Sequence, residues 1–389
     1  MKDHYCSQKF FWLQVDAEKK EMRSCCKADP TFIDKSWLEN NPGQLFNSPE
    51  LIKDRQLMLA GERVNGCEVC WDNEDKGTWS RRKAFQSDVR THTDLYNTPE
   101  ILNLHLTNDC NLTCSYCCKH YSSSWRTDLI DNGTYTNLES FDDTYKATKL
   151  DIVLSKLSQK DKNKLSMVGL VDREISLWRD TLKEVLITGG EPFLNLKLPE
   201  LISKFSNNTE IKIWSGLGIS ESVLRRNLDS MADKNIILVL SAESTGDYYN
   251  FNRYGNTWDK FLRYLDIINS EYDIKKIWLN MTISNLTVFD YVNFNRLFPE
   301  YEKGLTFAHK PDFFDPSNLD RQSKDSIIEN ILSSEFAETQ HSKYVIDSLN
   351  NTADPAMKLF LKSFLDQFCQ RRNINYDFMP DSFKTWINS

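Results

Sequence analysis

The sequence contains no uninterrupted apolar run of about 18 residues, the length at which a membrane-spanning helix becomes a candidate. Its first 15 residues have neither the basic start nor the apolar stretch of an export signal. Lysine and arginine form no long block, and 48 basic residues against 56 acidic ones give a formal net charge of -8. An extended nucleic-acid surface is therefore not expected. We predict a cytoplasmic protein without a membrane segment.

Internal repeats and low-complexity tracts are also missing, and aromatic residues make up 12% of the 389 residues. This composition is typical of a globular enzyme rather than a disordered chain. A chain of this length can fold into one large domain and a smaller one. Cysteine, in contrast, is abundant, with ten residues. In a reducing compartment such a number indicates metal or redox chemistry rather than a disulfide framework.

Three of the cysteines, Cys110, Cys114 and Cys117, have C-x3-C-x2-C spacing directly after a strand-like segment. Thiolates suit iron-sulfur clusters and zinc, and a short loop can bring three of them to one cluster while leaving a fourth position without a protein ligand. A structural zinc site is the alternative, but it would require four ligands. Cys118 follows directly, and we do not count it as a ligand because adjacent cysteines seldom face the same metal.

This motif, with the aromatic Tyr116 before its last cysteine, resembles the signature of the radical S-adenosylmethionine (SAM) enzymes. The resemblance implies a [4Fe-4S] cluster on the three cysteines, with an open iron that binds SAM. It also implies reductive cleavage of SAM to a 5'-deoxyadenosyl radical, which abstracts hydrogen from a substrate. The expected partner is an external electron donor of the flavodoxin or ferredoxin type.

A second group of cysteines lies in the first ninety residues: Cys6 before a hairpin-like stretch, Cys25 and Cys26 after it, and then Cys67 and Cys70. Four thiolates can hold either a second [4Fe-4S] cluster or a structural zinc ion, and spacing does not choose between them. The arrangement resembles the twitch module, a shortened SPASM domain with an auxiliary cluster, although that module usually follows the barrel. The family spacing favours Cys25 over Cys26 as the ligand.

From about residue 100 the chain alternates strand-like and helix-like segments, which favours an α/β fold with parallel strands and crossover helices. Six strands are expected between Ile101 and Ala308, and the resemblance implies a partial (β/α)6 TIM-type barrel of the radical SAM type. We predict a small hairpin-plus-helix, cysteine-rich, twitch-like domain over residues 1–95. The barrel would cover 96–310, and a helical C-terminal extension 311–389. The polar residues 119–145 are expected to form a solvated loop, with a lid or a partner surface as the alternative.

A Gly-Gly-Glu-Pro turn at the end of the second predicted strand resembles the family's second motif. The resemblance implies that Gly189, Gly190 and Glu191 bind the amino group of SAM. Glycines allow close backbone approach, and a carboxylate accepts hydrogen bonds from an ammonium group.

Three polar side chains, Ser215, Ser241 and Glu243, follow the third and fourth predicted strands, where they would point into the mouth of a barrel. The resemblance assigns the position after the fourth strand to SAM ribose or carboxylate contacts. An ordinary helix cap is the alternative for the two serines. Arg253 resembles an arginine that follows strand four in the twitch and SPASM families and pairs with the SAM carboxylate. A surface ion pair is the alternative for this arginine.

The substrate follows least directly from the sequence. Families with this auxiliary module often modify ribosomally made peptides or proteins, so the resemblance implies a peptide or protein side chain. A sugar, nucleotide or other small metabolite is the enzymatic alternative. A non-catalytic protein that keeps SAM and the clusters as a scaffold is an alternative of a different class.

Overall fold

A computed structural model describes residues 4–77, 80–86, 93–141, 143–156 and 167–389. Its strands form one mostly parallel sheet of nine, in the order β3-β2-β1-β4-β5-β6-β7-β8-β9. This confirms the predicted α/β class with a partial TIM-type barrel. The strands are β1 (Trp12–Asp16), β2 (Glu21–Arg23), β3 (Thr31–Phe32), β4 (Ile101–His105), β5 (Glu184–Thr188), β6 (Glu210–Ser215), β7 (Ile236–Ser241), β8 (Lys276–Ile283) and β9 (Glu302–Phe307).

Helices connect the strands, and none of those in the described part of the chain is both long and apolar enough to cross a membrane. The stretch from Tyr145 to Leu182 contains α6 and α7, and its residues 157–166 lie outside the described residues. The helices are α1 (Lys35–Asn40), α2 (Pro49–Ala60), α3 (Glu68–Asp75), α4 (Arg81–Gln86), α5 (Ser123–Asn132), α6 (Lys149–Ser155), α7 (Val168–Trp178), α8 (Leu198–Ser203), α9 (Glu221–Asp229), α10 (Gly246–Asn252), α11 (Trp258–Glu271), α12 (Tyr291–Leu297), α13 (Arg321–Leu332), α14 (Gln340–Leu349), α15 (Met357–Arg372) and α16 (Asp381–Asn388).

The chain divides into two compact units. The first comprises Met1–Asn108, Leu157–Trp214 and Arg226–Ile237. Within it β1, β4, β5 and β6 are parallel neighbours. In β4 and β5 buried residues alternate with half-buried ones, as expected when one face of a sheet packs on the core. The fully buried face includes Leu102, Leu104, Val185 and Ile187.

The N-terminal hairpin of β1 and β2 belongs to this sheet. β1 pairs antiparallel with β2 and also in parallel with β4, with Trp12 opposite Ile101 and Asp16 opposite His105. The parallel sheet therefore extends one strand beyond the first of the six predicted strands. The predicted domain boundaries stay a prediction, because the compact units follow contacts and not chain order.

The second unit comprises Asp109–Lys156, Ser215–Arg225 and Leu238–Ser389. It contains the parallel pair β8 and β9 and the helical C-terminal part of the chain. Its core is rich in aromatic rings, and Trp125, Tyr135 and Phe364 are fully buried and within ring-contact distance of each other.

The expectation of a solvated loop over residues 119–145 is wrong. The segment contains α5, which is capped by the Ser122 hydroxyl accepting from the Trp125 amide at 3.2 Å. Tyr135, Leu138 and Tyr145 from the same segment are fully buried. Its serines and aspartates suggested solvent exposure, but the aromatic residues between them supply core contacts, and burial of apolar area decides where a segment packs.

Candidate functional site

The three cysteines of the C-x3-C-x2-C motif lie on one loop after β4. Cys114 is buried, and Cys110 and Cys117 are half-buried. Burial, and then the sulfurs of Cys118, Cys114 and Cys110, raise the pKa of Cys117 well above its usual value. The three cysteines lie within eight consecutive residues, from Cys110 to Cys117.

Backbone hydrogen bonds fix this loop against the segment after α10. The Thr113 amide donates to the Tyr254 carbonyl at 2.9 Å, and the Ser115 amide donates to the Asn252 carbonyl at 2.9 Å. The Ser115 hydroxyl also donates to the Asn252 side-chain oxygen at 2.6 Å. The loop geometry is thus set by main-chain groups and does not depend on the cysteine side chains.

The N-terminal end of α5 fixes the loop from another direction. The Cys110 amide donates to the Ser123 hydroxyl at 3.0 Å, and the Ser124 hydroxyl donates to the Cys110 carbonyl at 2.9 Å. The Trp125 indole N–H donates to the Cys114 carbonyl at 2.9 Å. Sequence reasoning missed these serines and Trp125, whose only signal was their position directly after the motif.

Three predicted cofactor contacts meet in a buried network beside the cysteines. The Tyr116 hydroxyl donates to Glu243 Oε1 at 2.6 Å, and Arg253 Nε donates to the same oxygen at 3.1 Å. Arg253 Nη1 also donates to the Cys114 sulfur at 3.9 Å. Glu243 is fully buried and Arg253 is 5% exposed, so the surface ion pair considered for Arg253 is wrong. Burial alone would lower the pKa of Arg253, but the Glu243 carboxylate raises it above its usual value and keeps the guanidinium charged.

The Gly-Gly-Glu turn follows β5 in the first compact unit and packs on the end of β4. Gly189 has a φ of +127°, and a Cβ there would lie 2.7 Å from the Thr107 carbonyl oxygen. The Gly190 amide donates to that oxygen at 3.0 Å. Glu191 is buried and accepts from the Phe193 amide at 3.2 Å. Close backbone packing therefore already requires glycine at position 189, apart from any ligand.

The two serines at strand ends differ in their surroundings. Ser215 ends β6, is buried, and accepts from the Leu217 amide at 3.0 Å, a bond within the loop rather than a helix cap. Ser241 ends β7 and is half-buried. Among the described residues, no hydrogen bond joins the Ser241 side chain to the network of Tyr116, Glu243 and Arg253.

Gly218, in the loop after β6, lies directly against the cysteine loop. A Cβ at this position would approach Leu112 Cδ2 to 2.6 Å and Cγ to 2.8 Å. Leu112 is buried between Cys110 and Cys114, so it has little room to move.

We expect Gly218→Ala to displace Leu112 and to lower the free energy of unfolding by about 1–3 kcal/mol, as overpacking usually does. Urea denaturation followed by circular dichroism measures the change. Gly169→Ala is the matched control, since no atom lies within 4 Å of a Cβ there. An unchanged stability in Gly218→Ala would show that the loop adapts freely at Leu112.

The four N-terminal cysteines predicted to act together line one cavity. Cys6 precedes a short 3-10 helix, Cys25 follows β2, and Cys67 and Cys70 lie at the start and inside α3. Cys26 is exposed and is not among the cavity-lining residues. The Cys25 thiol donates to Gln8 Oε1 at 3.1 Å.

Polar residues that sequence reasoning missed line the same cavity. They are Gln8, Lys9, Lys27 and Arg82. Gln8 and Lys9 closely follow Cys6, and this proximity was the only sequence signal for them. Arg82 comes from α4 and is buried by its contacts with Glu74 and the Tyr5 carbonyl.

Both cysteine groups fit the iron-sulfur clusters that the resemblance implies. Three thiols on one short loop suit a cluster with an open iron, and four thiols around a cavity suit a fully ligated cluster. The Tyr145 hydroxyl supports the first fit. It is fully buried and has no hydrogen-bond partner among the described residues, and burial first, then charge at Cys118, raises its pKa well above the usual value. A cluster on the cysteine loop would give this orphaned hydroxyl a sulfur partner.

Residues 104–296 match the model of the Radical SAM superfamily. No curated protein matches the chain.

Solved structures similar to the chain include SuiB of Streptococcus suis bound to the precursor peptide SuiA. Its identity is 14%, the match covers 84% of this chain and 70% of that one, and the TM-score is 0.36. Histidine-tagged anSMEcpe with bound AdoMet matches at 14% identity over 60% of this chain and 58% of that chain, with a TM-score of 0.33. TYW1 with a lysine-pyruvate adduct matches at 19% identity over 48% and 57%, with a TM-score of 0.27. This chain thus spans less than two thirds of the latter two proteins.

These scores and identities are low, so the superfamily match, together with the cysteine loop inside it, is what identifies the domain. Residues 104–296 of this chain form a radical SAM domain.

Proposed function

We propose that the chain is an enzyme that reductively cleaves SAM and uses the resulting radical to abstract hydrogen from an unactivated carbon of its substrate. Cys110, Cys114 and Cys117 would hold a [4Fe-4S] cluster. When bound, that cluster supplies the electron that breaks a carbon-sulfur bond of SAM to give the 5'-deoxyadenosyl radical. The protein's own residues hold the ligands in place, neutralise charge and exclude water.

One observation carries the proposal. The three motif thiols are gathered on a loop whose shape is fixed by main-chain bonds to the 252–254 segment and to α5. A prearranged ligand set avoids the ordering cost of assembling a site on binding. The loop lies within the stretch that matches the superfamily.

The buried network next to this loop is proposed to serve both the cofactor and the cluster. Arg253 donates to the Cys114 sulfur, and Glu243 compensates its charge in an environment closed to water. Tyr116 completes the network through its bond to Glu243. In this arrangement the remaining hydrogen-bonding sites of the three side chains can contact SAM. The ribose and carboxylate of SAM need hydroxyl, carboxylate and guanidinium partners.

The other contacts to SAM are proposed because the family resemblance implies them. Gly189, Gly190 and Glu191 would bind the SAM amino group, and Ser215 and Ser241 would contact its ribose or carboxylate. Glu191 is 1% exposed, so its carboxylate would meet an ammonium group with little competition from water.

We further propose a second [4Fe-4S] cluster on Cys6, Cys25, Cys67 and Cys70, as in a twitch-like module. Four thiols line one cavity, and the resemblance to the twitch module favours a cluster over a zinc ion. Ligation by four cysteines leaves no open iron, so the second cluster would transfer electrons rather than anchor substrate.

A peptide or protein side chain is the substrate that we propose. Strand β9 ends the sheet, and each of its six residues is exposed or half-buried. An open strand edge can pair with an extended peptide through main-chain hydrogen bonds.

The reductant would be a flavodoxin- or ferredoxin-type protein in the cytoplasm, where ten free cysteines remain reduced.

Iron and labile sulfide content, electron paramagnetic resonance and product formation test the proposal on anaerobically reconstituted protein. We expect about eight irons per chain, as two [4Fe-4S] clusters require. With dithionite and SAM, 5'-deoxyadenosine should form. Prolonged reduction that leaves SAM intact would contradict catalysis and favour a non-catalytic scaffold.

The Cys67→Ala/Cys70→Ala double variant tests the second cluster. Its iron content should fall to about four per chain, the count for a single [4Fe-4S] cluster. Cys26→Ala is the matched control and should retain about eight irons, because Cys26 is exposed and outside the cavity. About four irons in both wild type and double variant would mean that the N-terminal cysteines hold no iron cluster.

A further inference from the structure

The cavity lined by four cysteines also contains a buried cation, Lys9. Its side chain is 4% exposed, although lysine is rarely buried without a partner. The residue lies in the 3-10 turn that follows Cys6, and its amide donates to the Cys6 carbonyl at 3.3 Å. Its own carbonyl accepts from Arg55 Nε at 2.9 Å, and Arg55 is fully buried. The backbone that carries Lys9 is therefore fixed.

The ammonium group of Lys9 has one carboxylate partner. Its Nζ lies 2.6 Å from Asp54 Oδ2, and the Asp54 side chain is 26% exposed. Burial lowers the pKa of Lys9, but negative charge at Cys67 and Asp54 outweighs this effect and raises it. The lysine is therefore a fixed positive charge that both the carboxylate and the cysteine sulfurs stabilise.

Other cations at the cavity are less suited to this role. Arg82 makes two hydrogen bonds to Glu74, whose side chain is 9% exposed against 26% for that of Asp54, and it also donates to the Tyr5 carbonyl, so its charge is compensated more fully than that of Lys9. Lys27 is exposed, and water screens its charge. Lys9 is the lysine that combines burial with a position in the cavity wall.

We infer that Lys9 is the counter-charge of the N-terminal cluster: a positioning residue that stabilises its reduced state, with Asp54 offsetting part of that effect. The inference rests on the proposed second cluster. Four thiolates give a bound cluster net negative charge, and one electron from the reductant increases it. A buried cation nearby makes that electron easier to accept, because charge near the sulfurs sets the reduction potential.

The expected size follows from Coulomb's law. At about 10 Å and an effective dielectric constant of about 20, one unit charge changes a reduction equilibrium roughly tenfold. We expect Lys9→Met to lower the ratio of reduced to oxidised N-terminal cluster about tenfold at a fixed applied potential, which is about 59 mV for a one-electron couple. Asp54→Asn should raise the same ratio, and Lys9→Arg should restore the wild-type value.

Redox titration followed by electron paramagnetic resonance measures these shifts in the full chain. Titration in both the wild-type and the Cys110→Ala background isolates the N-terminal signal. Lys53→Met is the matched control, because it removes an equal charge from an exposed position next to Asp54. The reduction potential of the N-terminal cluster in Lys53→Met should equal that of the parent.

A Lys9→Met potential equal to the parent's would overturn the inference, as would a Lys9→Arg value that stays low. If Lys9→Met loses its cluster, Asp54→Asn decides, since it retains the lysine. If the reduction potential of the N-terminal cluster in Asp54→Asn is not higher than in the parent, the proposed role of Lys9 is wrong. A failure of the proposed second cluster itself would appear differently, as about four irons in the wild-type protein.

Discussion

Replacing Cys110 with alanine should abolish SAM cleavage. A [4Fe-4S] cluster with an open iron needs three protein thiolates, and the variant supplies two. The loop itself should persist, because the Cys110 amide and carbonyl keep their bonds to Ser123 and Ser124. Loss of activity would then report loss of a ligand and not loss of the fold.

The measurement is 5'-deoxyadenosine formed under dithionite, beside iron content. We expect no product above the protein-free background, and a fall from about eight to about four irons as one of two [4Fe-4S] clusters is lost. Cys118→Ala is the matched control, since it removes the adjacent thiol that we do not count as a ligand. SAM cleavage that survives in reconstituted Cys110→Ala protein would refute the mechanism.

The strands of the barrel could be predicted from the sequence because their signal is local. Runs such as Lys183–Thr188 and Ile236–Leu240 combine apolar residues with turn residues beyond them, and the structure has β5 and β7 there. The cysteine loop could be placed for the same reason, since its spacing and the strand before it are contiguous. The superfamily match confirms the radical SAM interpretation of this stretch.

Contacts between distant segments could not be predicted in this way. The parallel pairing of β1 with β4 joins residues more than 80 positions apart, as Gln14 opposite Asn103 shows. The hairpin signal of β1 gave no indication of it, because pairing over long separations leaves no periodicity in either strand. The same holds for Glu243, which follows β7 in the chain but whose partners, Tyr116 and Arg253, only the fold reveals.

Buried polar groups around the two cysteine sets illustrate a second limit. Lys9, Arg82 and Arg372 are charged residue types that usually lie at the surface, so sequence reasoning gives them no place in a core. In the structure Arg372 Nε donates to Thr113 Oγ1 at 3.1 Å, and its guanidinium lies 3.9 Å from the centre of the Phe368 ring. The end of α15 thereby packs on the cysteine loop, a contact between residues about 260 positions apart.

The fully buried Trp125 connects these features, and Trp125→Ala is expected to be the most damaging substitution away from the cluster ligands. Its ring lies 5.9 Å from that of Phe368 and 5.8 Å from that of Tyr135. Removing it would leave a cavity in the aromatic core, which typically costs about 3–5 kcal/mol for tryptophan. It would also remove the donor to the Cys114 carbonyl, so cluster loading should fall together with stability.

Two comparison variants separate packing from hydrogen bonding. Trp125→Phe keeps most of the ring and loses the indole N–H, which should cost about 1 kcal/mol. Trp386→Ala removes the same side chain from a half-buried position in α16, so its cost should be clearly smaller than that of Trp125→Ala. Urea denaturation and iron content are measured on each protein. If Trp125→Ala retained wild-type iron loading despite its lower stability, the tryptophan would support the core without positioning the cysteine loop. Loss of iron in Trp125→Phe at nearly unchanged stability would assign the positioning to the single bond at Cys114, because the unchanged stability would show that the smaller ring leaves the core packing intact.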